Sequence, residues 1–140
     1  MKEKILVSAC LLGINCKYNG DNNENIKVLE FIKDKEVIPI CPEIMGGLTT
    51  PRPPSEIKEN KVINNLDIDV TENFQKGANE TLKLAKLFGV KKALLKAKSP
   101  SCGVGKIYDG TFSGNLIDGN GITTKLLLEH NIEVLTEKDL

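Results

Sequence analysis

The stretch Ala93-Leu94-Leu95-Lys96-Ala97-Lys98-Ser99-Pro100-Ser101-Cys102-Gly103 decides the fold. Its first five residues form the short apolar run of a buried strand. Ser99-Pro100 stops that strand and Cys102-Gly103 turns the chain, which presents Cys102 at the strand's C-terminal end. The same arrangement occurs twice earlier. Ile5-Leu6-Val7-Ser8-Ala9 ends at Cys10, and Val37-Ile38-Pro39-Ile40 ends at Cys41. In an open α/β sheet, ligands bind in the crevice beyond the carboxyl ends of the strands. Three thiols delivered to one crevice by three strands point to a metal or metal–sulfur centre.

Working outward, Lys4 to Ala9 reads as a first strand buried on both faces, as in a parallel sheet. Residues 10 to 20 form a loop with room for one helical turn, and Asn25 to Lys33 carries the spacing of a short helix. With the strand at Val37–Ile40 this makes a βαβ unit. Cys41 to Glu56 contains four prolines and two glycines, so it reads as a long irregular loop. Lys61 to Ile68 supplies one or two short strands or a hairpin. A helix capped at Asp69 or Thr71 runs to Phe88, with Phe74, Ala78, Leu82, Ala85 and Phe88 as its apolar stripe and Gly89 as its stop. Asp69 and Glu72 have the spacing of a capping box. After the strand at Val90–Ala97, Ile107 to Phe112 reads as a hairpin on Asp109-Gly110. A glycine-rich loop from Gly114 to Gly121 leads into a helix at Ile122–Glu129, and Ile132–Leu135 is the last strand. The expected fold is α/β and three-layered, Rossmann-like, with a mostly parallel sheet of about four to five strands and flanking helices, in one domain over residues 1–140.

Composition narrows the function. The chain has 140 residues and a net charge of zero from 19 basic and 19 acidic side chains. A polynucleotide binder usually leaves a basic footprint, so nucleic acid is not the expected partner. No window is long enough to span a membrane. Val7-Ser8-Ala9-Cys10 has the look of a lipoprotein cleavage box, but only Ile5, Leu6 and Val7 precede it, against the roughly 7–15 apolar residues of a signal sequence. The expected location is therefore the cytoplasm, where four cysteines serve metal binding or catalysis rather than disulfides.

Any single cysteine here could be a small core residue, since free cysteine is among the most buried types. Recurrence at three strand ends favours ligation. The spacing is not that of a zinc ribbon. The only histidine, His130, reads as a solvated residue near a helix C-terminus. Soft thiolates select zinc, copper(I) or iron–sulfur. A four-iron cluster usually takes four cysteines, so three would leave one iron open. Cys16 is either a spare thiol on a loop or a fourth ligand that closes the site. Glu43, two residues past Cys41, is a candidate general acid/base. Ser101, beside Cys102, is placed to hold substrate or relay a proton. Arg52, the only arginine, is either a salt-bridge partner for Glu56 or Glu43 or a fork of donors that orients a planar polar substrate. Gly119-Asn120-Gly121 opens a helix and reads as a cap or a weak anion site.

Together these stretches resemble the thiouracil desulfidase family, a bacterial and archaeal group of short single-domain proteins. The matching segments are Ser8–Gly13, Cys16–Gly20, Cys41-Pro42-Glu43 with Gly47-Leu48, Pro51–Glu56, Lys98–Gly103 and Ile107–Gly114. They occur in family order and span nearly the whole chain. The resemblance implies an oxygen-labile [4Fe-4S] cluster on Cys10, Cys41 and Cys102, with Glu43 as the acid/base residue and Ser101 as the catalytic serine. It implies a non-redox enzyme that removes sulfur from a thiolated pyrimidine or a similar small thio-compound and releases hydrogen sulfide. Arg52 and Asn19 are the expected substrate contacts. Lys17 and Asn19 stand where many members have Arg and Asp, so Asn19 is where selectivity would change. The alternative expectation is a non-catalytic metal or iron–sulfur carrier or sensing protein, with Cys16 as an additional ligand.

Overall fold

The computed structural model describes residues 2–140. Four strands form a parallel sheet: β1 (Lys4–Ser8), β2 (Glu36–Ile40), β5 (Lys92–Leu95) and β8 (Glu133–Thr136), in the order β2-β1-β5-β8. Between them in sequence lie β3 (Ser55–Lys58) paired with β4 (Lys61–Asn64), and β6 (Lys106–Tyr108) paired with β7 (Leu116–Asp118), each an antiparallel ribbon. The helices are α1 (Ile26–Phe31), α2 (Pro42–Met45), α3 (Thr71–Phe88) and α4 (Ile122–Glu129). The expected α/β architecture therefore holds, with four strands in the main sheet and all of them parallel.

Strand alternation explains the three layers. Ile5, Val7 and Leu94 point to one face and pack with Leu11 and Val28 of the first turn and α1. Leu6, Ala93 and Leu95 point to the other face and meet Leu82, Ala85 and Leu127 of α3 and α4. Each such Val, Leu or Ile side chain contributes about 1.5–3 kcal/mol when fully buried. Helix α1 begins at Asn25, whose Oδ1 accepts from the Lys27 and Val28 amides at 2.9 and 3.3 Å. Helix α3 ends at Gly89, held at φ 67°.

From β1 the chain moves to β2 on one side, then crosses to β5 on the other. The sheet therefore has its switch point between β1 and β5, where open α/β sheets form their binding crevice. Cys10 follows β1 in a 3₁₀ turn (Ala9–Leu12), and Cys41 follows β2 as the residue before α2. Cys102 lies seven residues past the end of β5, in a turn of its own.

Several local expectations change. The ribbon β3–β4 begins inside the proline-rich segment read as irregular, and α2 forms one turn there because Pro42 suits the first position of a helix. Asp69 does not close a capping box with Glu72; its Oδ1 accepts from the Thr71 amide at 2.9 Å, and Val70 is the cap residue. Phe88 is exposed rather than part of the apolar stripe. Asp109-Gly110 is not a two-residue turn: residues 109–115 connect β6 to β7, which itself lies in the glycine-rich stretch.

Candidate active site

A cavity of ≈ 540 Å³ opens at the C-terminal ends of β1, β2 and β5. Cys10, Cys41 and Cys102 all line it, with Glu43, Arg52 and Ser101. Six of the seven residues expected from the sequence thus share one cavity. Asn19 does not line it; its side chain is exposed and accepts from the Asp21 amide at 3.0 Å within its own turn.

The loop carrying Ser101 and Cys102 is fixed by the start of α4. The amides of Ile122 and Thr123 donate to the carbonyls of Pro100 and Ser101, both at 2.9 Å. The Thr124 hydroxyl donates to the Cys102 carbonyl at 2.8 Å. A Cβ on Gly121 would stand 2.5 Å from the Ser101 carbonyl carbon, so only glycine lets the helix approach. The amides that open α4 are spent on this loop, and Asn120 Oδ1 accepts from Gly105 at 2.8 Å. Gly119-Asn120-Gly121 is therefore a brace for the cysteine loop rather than an anion site.

Helix α2 carries Glu43 and is placed with equal tightness. A Cβ on Gly46 would lie 1.9 Å from the Asn73 carbonyl oxygen, and one on Gly77 would lie 1.8 Å from the Pro42 carbonyl oxygen. Helices α2 and α3 therefore cross backbone to backbone.

A chain of polar contacts runs along the cavity wall. Arg52 Nε donates to Glu43 Oε1 at 3.0 Å, and the Ser101 hydroxyl donates to Glu43 Oε2 at 2.9 Å. The Arg52 side chain is 6% exposed and that of Glu43 16%. The guanidinium also donates to the carbonyls of Thr49 and Cys16 and to the Thr50 hydroxyl. Ser99 Oγ stands 3.3 Å from Ser101 Oγ and accepts from the Cys102 amide at 2.8 Å. A hydroxyl pair and a carboxylate are thus linked beside the thiols.

The thiols differ in character. Burial pushes the Cys102 thiol up to about 12, against a hydrogen bond from the Ser8 hydroxyl at 3.5 Å and the Ser101 oxygen, also 3.5 Å from the sulfur. Burial also raises Cys10, while a hydrogen bond with Asn23 opposes the shift. Cys41 is lowered to about 6, first by a hydrogen bond with the Cys16 thiol, with smaller help from Ile44 and Arg52. Cys16 is raised, chiefly by that same bond. Cys16 is buried and lines the cavity beside Cys41.

The donor set fits a multi-iron cluster. Among the described residues, no three Cys, His, Asp or Glu side chains converge closely enough for a single metal ion. Cys10, Cys41 and Cys102 line one cavity, and soft thiolates are the donors an iron–sulfur cluster takes. Cys16 lines the same cavity, and the Cys41 thiol donates to its backbone carbonyl at 3.9 Å.

Sequence reading missed Asn23, Ser99 and Lys96 as part of the cavity wall. Lys96 is held by the buried Glu137 at 3.0 Å, and Glu137 also accepts from the Ala97 amide at 2.8 Å. The partners of Lys96 and Asn23 are distant in sequence, whereas Ser99 bonds within its own turn, to Ser101 and the Cys102 amide.

Residues 5–139 match the family model described as 2-thiouracil desulfurase. An uncharacterised protein of Bacillus subtilis (strain 168), YbbK, is 41% identical, with 97% of each chain covered. A solved structure of a [4Fe-4S]-dependent thiouracil desulfidase, TudS, is similar with a TM-score of 0.91 and 43% identity, covering 99% of this chain and 93% of that one.

Proposed function

From the premise that this chain belongs to the 2-thiouracil desulfurase family, we propose that it is a [4Fe-4S]-dependent, non-redox desulfidase acting on a thiolated pyrimidine of thiouracil type. The net reaction replaces a thiocarbonyl sulfur by a water oxygen: thiouracil and water give uracil and hydrogen sulfide, with no electron donor or acceptor. Cys10, Cys41 and Cys102 are the residues that would hold the cluster. When bound through three thiolates, such a cluster supplies a soft Lewis acid for the sulfur of the substrate.

The chain's own residues supply the rest. The Glu43 carboxylate accepts the proton of the attacking water, and returns it to the departing sulfur or the ring. The Ser101 hydroxyl, donating to Glu43 Oε2 at 2.9 Å, keeps a movable proton between the carboxylate and the Cys102 side of the cavity. Ser99 continues that relay at 3.3 Å. Arg52 holds the Glu43 carboxylate in one orientation through Oε1 and commits three further donors to Thr49, Thr50 and Cys16, which leaves one Nη2 hydrogen of its five. Its role is therefore to position Glu43, and a direct grip on substrate is the lesser part. Cys16 is a spare thiol in this reading. Asn19, outside the cavity wall, acts on substrate only through the turn that carries Tyr18.

The observation that carries the proposal is the Ser99–Ser101–Glu43–Arg52 chain beside three thiols in one cavity. A small heterocycle suits that cavity of ≈ 540 Å³, and the cytoplasm is the location this reading takes for the reaction. The test is release of hydrogen sulfide from thiouracil by anaerobically reconstituted protein. Loss of release in Glu43→Gln with the iron content unchanged supports the assignment; full release in that variant removes it.

A further inference from the structure

The connection from β6 to β7 rises beside the cavity, and Tyr108, Phe112 and Gly114 from this hairpin line it. Phe112 is 39% exposed, so its ring is not part of the core. Its backbone sits at φ 55°, a conformation that a bulky residue rarely adopts. Something outside the loop must hold it there.

That support comes from Glu56 on β3. Its Oε1 accepts from the Gly110 amide at 3.0 Å and from the Phe112 amide at 3.1 Å. Gly110 has φ 93°, and a Cβ on it would stand 2.8 Å from Lys58 Cβ and 2.9 Å from the Ile57 carbonyl oxygen. The loop is thus seated directly on β3. Asp109 Oδ1 shapes it from within by accepting from the Thr111 amide at 2.9 Å. Two donors on alternate residues, gathered by one carboxylate oxygen, fix the direction in which the residue between strand and tip leaves the backbone. Glu56 Oε1 thus carries both amides of the loop.

A planar heterocycle with its sulfur toward the thiols needs a face to rest on. The thiols and the Glu43 chain address its edge. Phe112 is an aromatic ring at the cavity wall with no packing role in the core clusters. We propose that Phe112 contacts the flat face of the substrate ring, and that Glu56 is the positioning residue that holds Phe112 in place. The proposal rests on the desulfidase reading and extends it to substrate selection. A stacking face favours flat, conjugated thio-heterocycles over saturated thioamides of the same size.

The test compares Phe112→Ala, Phe112→Tyr, Glu56→Ala and Glu56→Gln in reconstituted protein with thiouracil, and follows backbone amide exchange over residues 109–114. Stacking on a base is worth a factor of about 5 to 100 in binding. Phe112→Ala is expected to raise KM by roughly that factor with kcat within about threefold, and Phe112→Tyr to restore KM. Glu56→Ala is expected to raise KM in the same direction and to speed exchange at Gly110 and Phe112, while Glu56→Gln, which keeps an acceptor oxygen, recovers part of both. A KM in Phe112→Ala within twofold of wild type, at equal iron content, overturns the stacking role. Unchanged exchange in Glu56→Ala overturns the positioning role. Wild-type protein that holds its cluster but releases no sulfide overturns the desulfidase reading and the Phe112 assignment with it, and is distinguished by failing before any variant is compared.

Discussion

Replacing Gly77 by alanine should destabilise this protein, although helix propensity alone predicts the opposite. Gly77 lies in the interior of α3, where glycine is less favourable than alanine by roughly 0.5–1 kcal/mol. The structure reverses the sign. An alanine Cβ would stand 1.8 Å from the Pro42 carbonyl oxygen and 2.7 Å from its carbon, both backbone atoms with no rotamer to turn away. To reach the 3.0 Å below which real Cβ contacts essentially never fall, α2 must retreat by about 1.2 Å from its present 1.8 Å. Overpacking of this kind costs about 1–3 kcal/mol, which exceeds the propensity gain. The consequence reaches the site, because Glu43 is the next residue on α2 and its 2.9 Å bond from Ser101 would stretch past hydrogen-bonding distance. A misplacement near 1 Å can cost a factor of about 100 in rate. Urea unfolding followed by circular dichroism should show the lost stability, and sulfide release should fall by roughly that factor. Lys76→Ala, on the exposed side of the same helix, is the control and should stay within about 0.5 kcal/mol. A Gly77→Ala protein that is more stable than wild type and fully active would refute the close crossing of α2 on α3 and its role in placing Glu43.

Glu43→Gln keeps an acceptor for Arg52 but removes the proton acceptor, so turnover should drop by about 10²–10⁴ while bound iron is retained, which iron analysis beside a sulfide assay will show. Cys10→Ser, Cys41→Ser and Cys102→Ser should each fail to retain a full cluster, whereas Cys16→Ala should load normally by visible absorption and iron content; cluster loss in Cys16→Ala would revive the carrier reading. In the cluster-free protein the Cys102 thiol is raised from 9.0 to about 12 by burial, so its stabilising contribution is present below pH 9.0 and is lost as pH rises toward about 12. Thermal unfolding between those values should therefore weaken more steeply in wild type than in Cys102→Ser. Cluster assembly must displace the protons that burial keeps on Cys10 and Cys102, so iron loading should weaken as pH falls, as measured by iron retained after gel filtration.

The parts of the fold that can be read from sequence are those whose neighbours agree with their own pattern. The strands at Ile5–Val7 and Ala93–Leu95 are apolar on both faces because both faces are covered, and the edge strand at Val37–Ile40 is covered in part. Helix α3 shows its stripe at Phe74, Ala78, Leu82 and Ala85. Strands β3 and β7 are not legible. Ser55–Lys58 has one apolar residue, and Leu116–Asp118 is exposed throughout, so pairing with β4 and β6 makes them strands. The same division holds at the site. The cysteines, Glu43 and Arg52 carry their chemistry in their residue type, although Cys102 lies in a turn beyond β5 and not at its end. The tasks of Glu56 and Glu137 depend on amides about 54 and 40 positions away, which no local pattern reveals. Asn19 is expected as a substrate contact only through the family resemblance, and its Oδ1 accepts from the Asp21 amide within its own turn.

The central claim is that three thiols hold a cluster and the Glu43 chain beside them turns over a thiocarbonyl. The most direct test is anaerobic reconstitution with iron and sulfide, followed by addition of thiouracil and measurement of both uracil and hydrogen sulfide. The account predicts about four irons per chain and equal amounts of the two products without added reductant. A stable cluster that leaves thiouracil unchanged would contradict it.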